Sequence, residues 1–332
     1  MSRERPAGAA TGRARGPGEA PLRVGVSSCL LGMNVRFDGG HKKDAFVTGA
    51  LARFVEFVPV CPEVEVGMGT PRPTIRLERR EGAVRLVDPK AGADHTDAMR
   101  RWAARRLDDV EGMDLCGWIL KKDSPSCGME RVRLYHGGVP RKEGVGVFAE
   151  ALAARFPLLP LEEEGRLNDP WLRENFVERI FAYRRLKDLF AGRWTVGDLV
   201  RFHTAEKLLL LAHDPDAYRR LGRLVAGAKG APRDGLRAAY GEGFMRAMAK
   251  VAKAGRQTNV LQHMAGYFKD RLDAEDRAEL HGAISDYRAG LVPLVVPVTL
   301  VRHHARRLAV AYLQGQTYLE PHPKELMLRN HV

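Results

Sequence analysis

The run Val24-Gly25-Val26-Ser27-Ser28-Cys29 decides how the first half of this chain is read. A short apolar stretch ends abruptly in small polar residues, the pattern of a buried strand entering a loop. Val58-Pro59-Val60-Cys61-Pro62-Glu63 repeats it, and Trp118-Ile119-Leu120 leads through Lys121-Lys122-Asp123 into Ser124-Pro125-Ser126-Cys127. Strands are expected over 22–26, 55–60, 117–120 and 145–148, with helices over 46–54 and 97–110 between them. Residues 74–77 and 83–87 suit a hairpin across Glu81-Gly82. Such alternation implies an α/β N-terminal domain with a mainly parallel sheet, spanning 22–160.

Beyond Pro160 the signals change. Glu162-Glu163-Glu164-Gly165 reads as an acidic connector, and Asn168-Asp169-Pro170 as a capped helix start. Leu172, Phe176, Ile180 and Tyr183 form one apolar helical stripe; Leu261, Met264, Ala265, Phe268 and Leu272 form another. Segments around 199–213 and 300–313 add further helices, so 161–332 is expected to be an all-α C-terminal domain. The first 21 residues carry Arg3, Arg5, Arg13 and Arg15 among Ala, Gly and Pro, and a disordered basic tail is expected there. That tail lacks the apolar segment of a signal peptide. The longest apolar run, 291–301, is interrupted by Pro293 and Pro297 and is too short to span a bilayer. A cytoplasmic protein without a membrane segment is the expectation.

The sequence carries 54 Lys plus Arg against 41 Asp plus Glu, a net charge of +13. Residues 1–160 contribute +6 (26 basic, 20 acidic) and 161–332 contribute +7 (28 basic, 21 acidic). A basic balance in both halves favours a polyanionic partner such as nucleic acid. Four cysteines in 332 residues cannot form a disulfide framework; burial, metal ligation or catalysis are their uses in a reducing compartment.

Three of the four follow the carboxyl end of an expected strand: Cys29, Cys61 and Cys127. Ligands of open α/β sheets bind outside those ends, so residues 32 and 66 positions apart can face one crevice. Cys116 precedes its expected strand and reads as a small buried hydrophobe. Three thiolates in one crevice can hold a 4Fe-4S cluster by three irons and leave the fourth open. Zinc is the rival, although the close ligand pair of a structural zinc site is missing; three ordinary buried cysteines are the third reading. Pro62, Pro125, Gly32 and Gly128 stiffen or tighten these loops, and Ser27, Ser28, Glu63, Ser124 and Ser126 make them polar. Asp38-Gly39-Gly40 reads as a turn. Gly144-x-Gly146-x-x-Ala149 mimics a dinucleotide fingerprint but falls inside the strand expected at 145–148, and is set aside.

In the helical half, Arg201, Lys207, Lys250, Lys253, Arg256 and Lys269 could neutralise RNA phosphates, with Tyr267 available for stacking. No H-E-x-x-H occurs there, which speaks against a zinc site of that type.

Ser28-Cys29-Leu30-Leu31-Gly32, Cys61-Pro62-Glu63, Gly69-Thr70-Pro71-Arg72 and Ser124-Pro125-Ser126-Cys127-Gly128 resemble the motifs of the thiouracil desulfidase family. His203-Thr204-Ala205-Glu206-Lys207, Asn259-Val260-Leu261-Gln262-His263, Gly266-Tyr267-Phe268-Lys269 and Tyr318-Leu319-Glu320-Pro321 resemble the helical domain fused to that module in tRNA 4-thiouridine desulfidases. The resemblance implies a 4Fe-4S cluster on Cys29, Cys61 and Cys127, tRNA as partner, and conversion of 4-thiouridine to uridine with release of sulfide and no net redox. Glu63, two residues after a ligand, is then the first choice of acid/base, with Ser124 and Ser126 orienting water or base. Ser28, Arg72, Lys121 and Lys122 would bind the thiolated base or nucleoside and its phosphate. The longer, more acidic run Cys61-Pro62-Glu63-Val64-Glu65-Val66-Gly67-Met68 departs from free-base desulfidases and leaves substrate preference open. Two alternatives stand beside this one: desulfuration of free thiouracil or thionucleosides, and a noncatalytic RNA-binding protein with structural zinc.

Overall fold

A computed structural model of the protein describes residues 22–331; the tail expected over 1–21 lies outside the described residues. In the first unit, β1 (Arg23–Ser27) buries Val24 and Val26 completely, and Gly25 lies flat against Trp118. A β-carbon at position 25 would sit 2.2 Å from the indole ring, so only glycine fits. After β2 (Glu56–Val60) come a short α1 (Pro62–Glu65), a hairpin of β3 (Arg76–Arg80) and β4 (Ala83–Val87), and α2 (Thr96–Glu111). Next follow β5 (Leu115–Leu120), a second hairpin of β6 (Val132–His136) and β7 (Val139–Gly144), α3 (Val147–Arg155) and β8 (Leu161–Glu163). The first sheet has the order β2-β1-β5-β8, with β1 parallel to β2 and β5, and β8 parallel to β5. A second sheet, β4-β3-β6-β7, is antiparallel except where β3 meets β6. The expected α/β class with a mainly parallel sheet is therefore what forms.

Four local readings need correction. The apolar run at 145–148 is not a strand: Gly146 caps α3, which buries Val147, Phe148, Ala149 and Leu152. A short apolar run suits a strand or a buried helix start equally well, and here the Phe148 ring is claimed by Trp118, 5.4 Å away, and Trp102, 5.3 Å away. Cys116 does not precede its strand, because β5 begins at Leu115. The expected helix at 46–54 divides into a widened turn (Phe46–Ala50) and a 3-10 turn (Leu51–Arg53). The acidic connector is no linker, since Leu161–Gly165 belongs to the first unit and β8 extends its sheet.

The second unit comprises 158–160 and the residues from Arg166 on. Its helices are α4 (Pro170–Phe190), α5 (Val196–His213), α6 (Pro215–Ala226), α7 (Arg233–Met248), α8 (Ala254–Gly266), α9 (Ala274–Arg288), α10 (Val295–Arg307) and the single turn α11 (Ala311–Gln314). Asp169 caps α4 through Trp171 and Leu172 amides, and Thr195 with Asp198 forms a capping box on α5. Around a core that includes Leu208, Tyr240, Phe244, Leu261 and Phe268 the helices bury their apolar stripes.

Beneath Tyr318 lies a charged network. Arg329 donates to Glu174 (3.1 Å), to Glu178 (2.7 Å) and to the Tyr318 carbonyl (2.6 Å), while His213 lies 3.0 Å from Glu178. Burial works against a charged Glu178, yet Arg329 and His213 hold its carboxyl below the usual range. Burial and the neighbouring Glu178 charge push Glu174 up. Glu174, Glu178 and His322 bring ligand atoms within 4.8 Å of one another, but the Arg329 guanidinium already supplies the positive charge between the carboxylates. Arg329→Met strands two buried carboxylates and is expected to destabilise the helical unit by about 3–5 kcal/mol. Urea unfolding followed by circular dichroism at 222 nm checks this; an unchanged midpoint would show that the network contributes nothing.

Candidate functional site

Because the sheet order places β2, β1 and β5 side by side, the loops leaving their carboxyl ends start from strands about 4.8 Å apart. Cys29 sits in the 3-10 turn after β1, Cys61 directly follows β2, and Cys127 closes the loop after β5. All three line one cavity of about 510 Å³. Cys116 is fully buried inside β5 and does not line it. Burial pushes the Cys29 thiol up to about 11, against the pull of Lys121. Burial and the Glu63 charge push Cys61 up to about 12 and Cys127 well above the ordinary thiol value. Left alone, these thiols resist ionisation; a soft cation held among them would offset the desolvation of each thiolate. No histidine and no fourth cysteine line the cavity among the described residues, a donor set that suits a cluster with an open iron better than a closed structural zinc.

Cys127 lies farthest from its strand, seven residues beyond Leu120, and its loop is pinned by several hydrogen bonds. The Ser124 hydroxyl accepts from the amides of Ser126 (3.2 Å) and Cys127 (3.0 Å), and Gly128 N donates to Ser124 O (2.8 Å). The first amides of α3 are spent on the same loop: Val147 donates to Pro125 O, and Phe148 and Ala149 donate to Ser126 O. A helix start occupied in this way has no amides left for a pyrophosphate, so the dinucleotide pattern at Gly144 remains set aside, now for a sounder reason: Gly144 ends β7 and Gly146 caps the helix. From β8, Glu163 accepts from Met129 N (2.7 Å), and Glu164 accepts from Lys122 N (2.7 Å) and pairs with Lys121. Burial raises the Glu163 carboxyl, against the pull of the Met129 and Glu130 amides.

A β-carbon at Gly146 would lie 2.5 Å from the Ser126 carbonyl. Gly146→Ala is therefore expected to push the Cys127 loop outward and to cost about 1–3 kcal/mol in overpacking. Iron and sulfide assays on the anaerobically purified variant should show depleted content, and full occupancy would show that the loop tolerates the shift.

Each residue singled out from sequence has a definite place. Glu63 is buried at the start of α1, with Oε1 3.5 Å from the Ser124 hydroxyl and Oε2 3.5 Å from the Cys61 thiol. Ser28 lines the cavity beside Cys29. Arg72 donates to the carbonyls of Val35 and Gly69, both at 2.9 Å, and lies 3.8 Å from Glu63. It lines the cavity and buttresses the segment around Phe37, whose carbonyl accepts from Arg72 N (3.0 Å). Lys121 lines the cavity while paired to Glu164; Lys122 lines it with a half-exposed side chain. Ser126 does not line the cavity, and its hydroxyl is enclosed without a hydrogen-bond partner among the described residues. Its backbone carbonyl serves the site, holding α3. The expected turn at Asp38 forms, with Gly40 N donating to Asp38 Oδ1 (3.1 Å).

Missing from the sequence reading are Phe37, Lys42 and Arg133, which also line the cavity. Arg133 arrives on β6 of the second sheet, and nothing local in the sequence signals that approach.

Of the residues proposed for RNA, Arg201 pairs with Asp198, Lys250 with Asp214 (2.7 Å), and Arg256 donates to Val251 O. Lys207 Nζ lies 4.7 Å over the Tyr312 ring, which stacks on Tyr267 at 4.9 Å. Lys253 and Lys269 are exposed.

The family model of 2-thiouracil desulfurases matches residues 24–164, and that of a family of unknown function, DUF1722, matches 207–323. The uncharacterized protein YbgA of Escherichia coli (strain K12) is 34% identical over 153 residues, 46% of this chain and 90% of that protein. The uncharacterized protein YbbK of Bacillus subtilis (strain 168) is 29% identical over 150 residues, 43% of this chain and 97% of that one. A solved [4Fe-4S]-dependent thiouracil desulfidase, TudS, is 31% identical and covers 47% of this chain and 99% of its own, with a TM-score of 0.37. The 2-thiouracil desulfurase match runs from β1 to the end of β8, so it is the first unit as a whole that resembles this family.

Proposed function

We propose that the protein is a 4Fe-4S-dependent desulfidase that converts 4-thiouridine in tRNA to uridine, in the cytoplasm. The observation that carries the reading is the meeting of Cys29, Cys61 and Cys127 on one cavity beside Glu63. These three cysteines would hold the cluster, which supplies an open, thiophilic iron able to polarise a thiocarbonyl. The reaction balances without an oxidant or reductant: water adds its oxygen to the ring carbon, the C–S bond breaks, and sulfide leaves. Glu63 takes the proton from water, and Arg72 and the Ser124 hydroxyl hold the carboxylate toward the cavity. Lys121, anchored by Glu164, brings a positive charge to the wall where sulfide develops. Ser28 lines the same wall and contacts the base. Docking of tRNA falls to the helical unit, whose basic residues, among them Arg201, Lys207, Lys250, Lys253, Arg256 and Lys269, complement phosphate, with Tyr267 open to a base. Among the described residues no helix is long and apolar enough to cross a membrane.

Anaerobic purification should give a brown protein with about four irons and four sulfides per chain, releasing sulfide from thiolated tRNA. Stoichiometric zinc and no sulfide release would replace this reading with a structural-zinc RNA-binding protein. Turnover confined to thiouracil or thionucleosides would replace only the substrate.

A further inference from the structure

The positive charge of the helical unit is concentrated in one hairpin. Residues 215–253 hold nine Lys and Arg against three Asp and Glu, a net +6 of the +7 found over 161–332. All nine cations are exposed. Arg219, Arg246 and Lys250 pair with Asp216, Glu242 and Asp214. Among the described residues, no ion pair within 4.0 Å involves Arg220, Arg223, Lys229, Arg233, Arg237 or Lys253. Helix α6 sets them out by its amphipathicity: Ala217, Leu221 and Val225 face the core while Arg219, Arg220 and Arg223 face solvent. At the near end of α7, Arg233 lies 5.0 Å over the Trp194 ring and Arg237 5.8 Å over Phe190. A cleft of about 350 Å³ beside them is lined by Arg185, Arg193, Trp194 and Phe202 together with Asp188 and Asp198, which pair with Arg184 and Arg201.

We propose that the α6–α7 hairpin is the RNA-docking surface of this chain, an inference that rests on the tRNA reading above and fixes where the strand lies. Unpaired cations along two adjacent helices match the spaced charges of a phosphate backbone. The arginine–tryptophan pair beside the cleft offers a platform on which an unstacked base can lie. An anionic membrane fits less well, because membrane-surface helices turn an apolar face outward. The apolar face of α6 is buried in the core, and no large hydrophobic side chain is exposed between 215 and 253 among the described residues. Lys250, chosen from sequence alone, pairs with Asp214 at the start of α6 and so marks the far end of the hairpin.

The test uses the full-length, cluster-loaded protein and two triple variants of equal charge change. The first is Arg220→Glu, Arg223→Glu and Lys229→Glu; the second, Arg288→Glu, Arg306→Glu and Lys324→Glu, reverses exposed cations elsewhere in the unit. Binding of unmodified tRNA, measured across a salt series, should weaken at least about tenfold in the first variant at low salt. Its log–log salt dependence should become shallower by about two to three, as expected for three lost phosphate contacts. The second variant should bind nearly as the parent does. Sulfide release from the nucleoside 4-thiouridine should match the parent in both, which shows that each is folded and loaded. Equal weakening in both variants would mean that net charge alone acts, and would overturn the assignment. So would unchanged binding in the first variant, or tighter binding of anionic vesicles than of tRNA by the parent protein. If the parent turns over 4-thiouridine but neither binds nor desulfurates tRNA, the tRNA reading itself fails; if it does both and the first variant is unimpaired, only the surface fails.

Discussion

Cys29→Ser, Cys61→Ser and Cys127→Ser should each yield a protein without its iron-sulfur absorbance and without measurable desulfuration. Cys116→Ser should keep both. The first three lie on neighbouring loops of one cavity, and a hydroxyl is a poor replacement for a thiolate on iron. Cys116 is enclosed within β5 away from that cavity, so its exchange costs only packing. Visible absorbance, iron content and sulfide release measured on all four variants decide the matter. An iron-free Cys116→Ser protein that remains folded would break the three-ligand assignment, as would a fully loaded variant of any other cysteine.

Glu63→Gln should keep its iron yet lose about 10²–10⁴-fold in kcat, the usual contribution of a general acid/base. The amide preserves the shape of the carboxylate and its approach to the Ser124 hydroxyl and Arg72, but it cannot take a proton. Single-turnover sulfide release on protein of matched iron content is the measurement. Unchanged turnover would leave Glu63 as the group that holds Arg72 and Ser124 in place, and nothing more.

How much of this was legible beforehand depends on whether the signal is local. The strand-end position of the cysteines was legible, because an apolar run stopping at a small polar residue is written in consecutive positions. The hairpin at Glu81-Gly82 was legible for the same reason, and both residues adopt positive φ. By contrast, β6 alternates over only Val132, Arg133 and Leu134, and β7 is exposed except at Gly144, so the second sheet and the arrival of Arg133 at the cavity went unread. The partners of Arg72 within the protein were not legible, because an arginine between prolines shows none in sequence. Its acceptors, Val35 and Glu63, come from other loops. The charge of the α6–α7 hairpin was countable in the sequence, but halving the chain averaged it away; a window of about 40 residues would have exposed it.

The acidic run at 162–164 has a consequence for how the protein is made. Synthesis proceeds from the amino end, so a chain that has just passed residue 160 already carries every thiol of the cavity. It does not yet carry Glu163 or Glu164, the side chains that fasten the Cys127 loop at Met129 and Lys122. Until that edge strand joins β5, the Cys127 loop is held by Ser124 and by the first amides of α3. A chain cut at residue 160 would keep all three cysteines of the cavity yet lose the bonds that tie the Cys127 loop to the edge of the sheet.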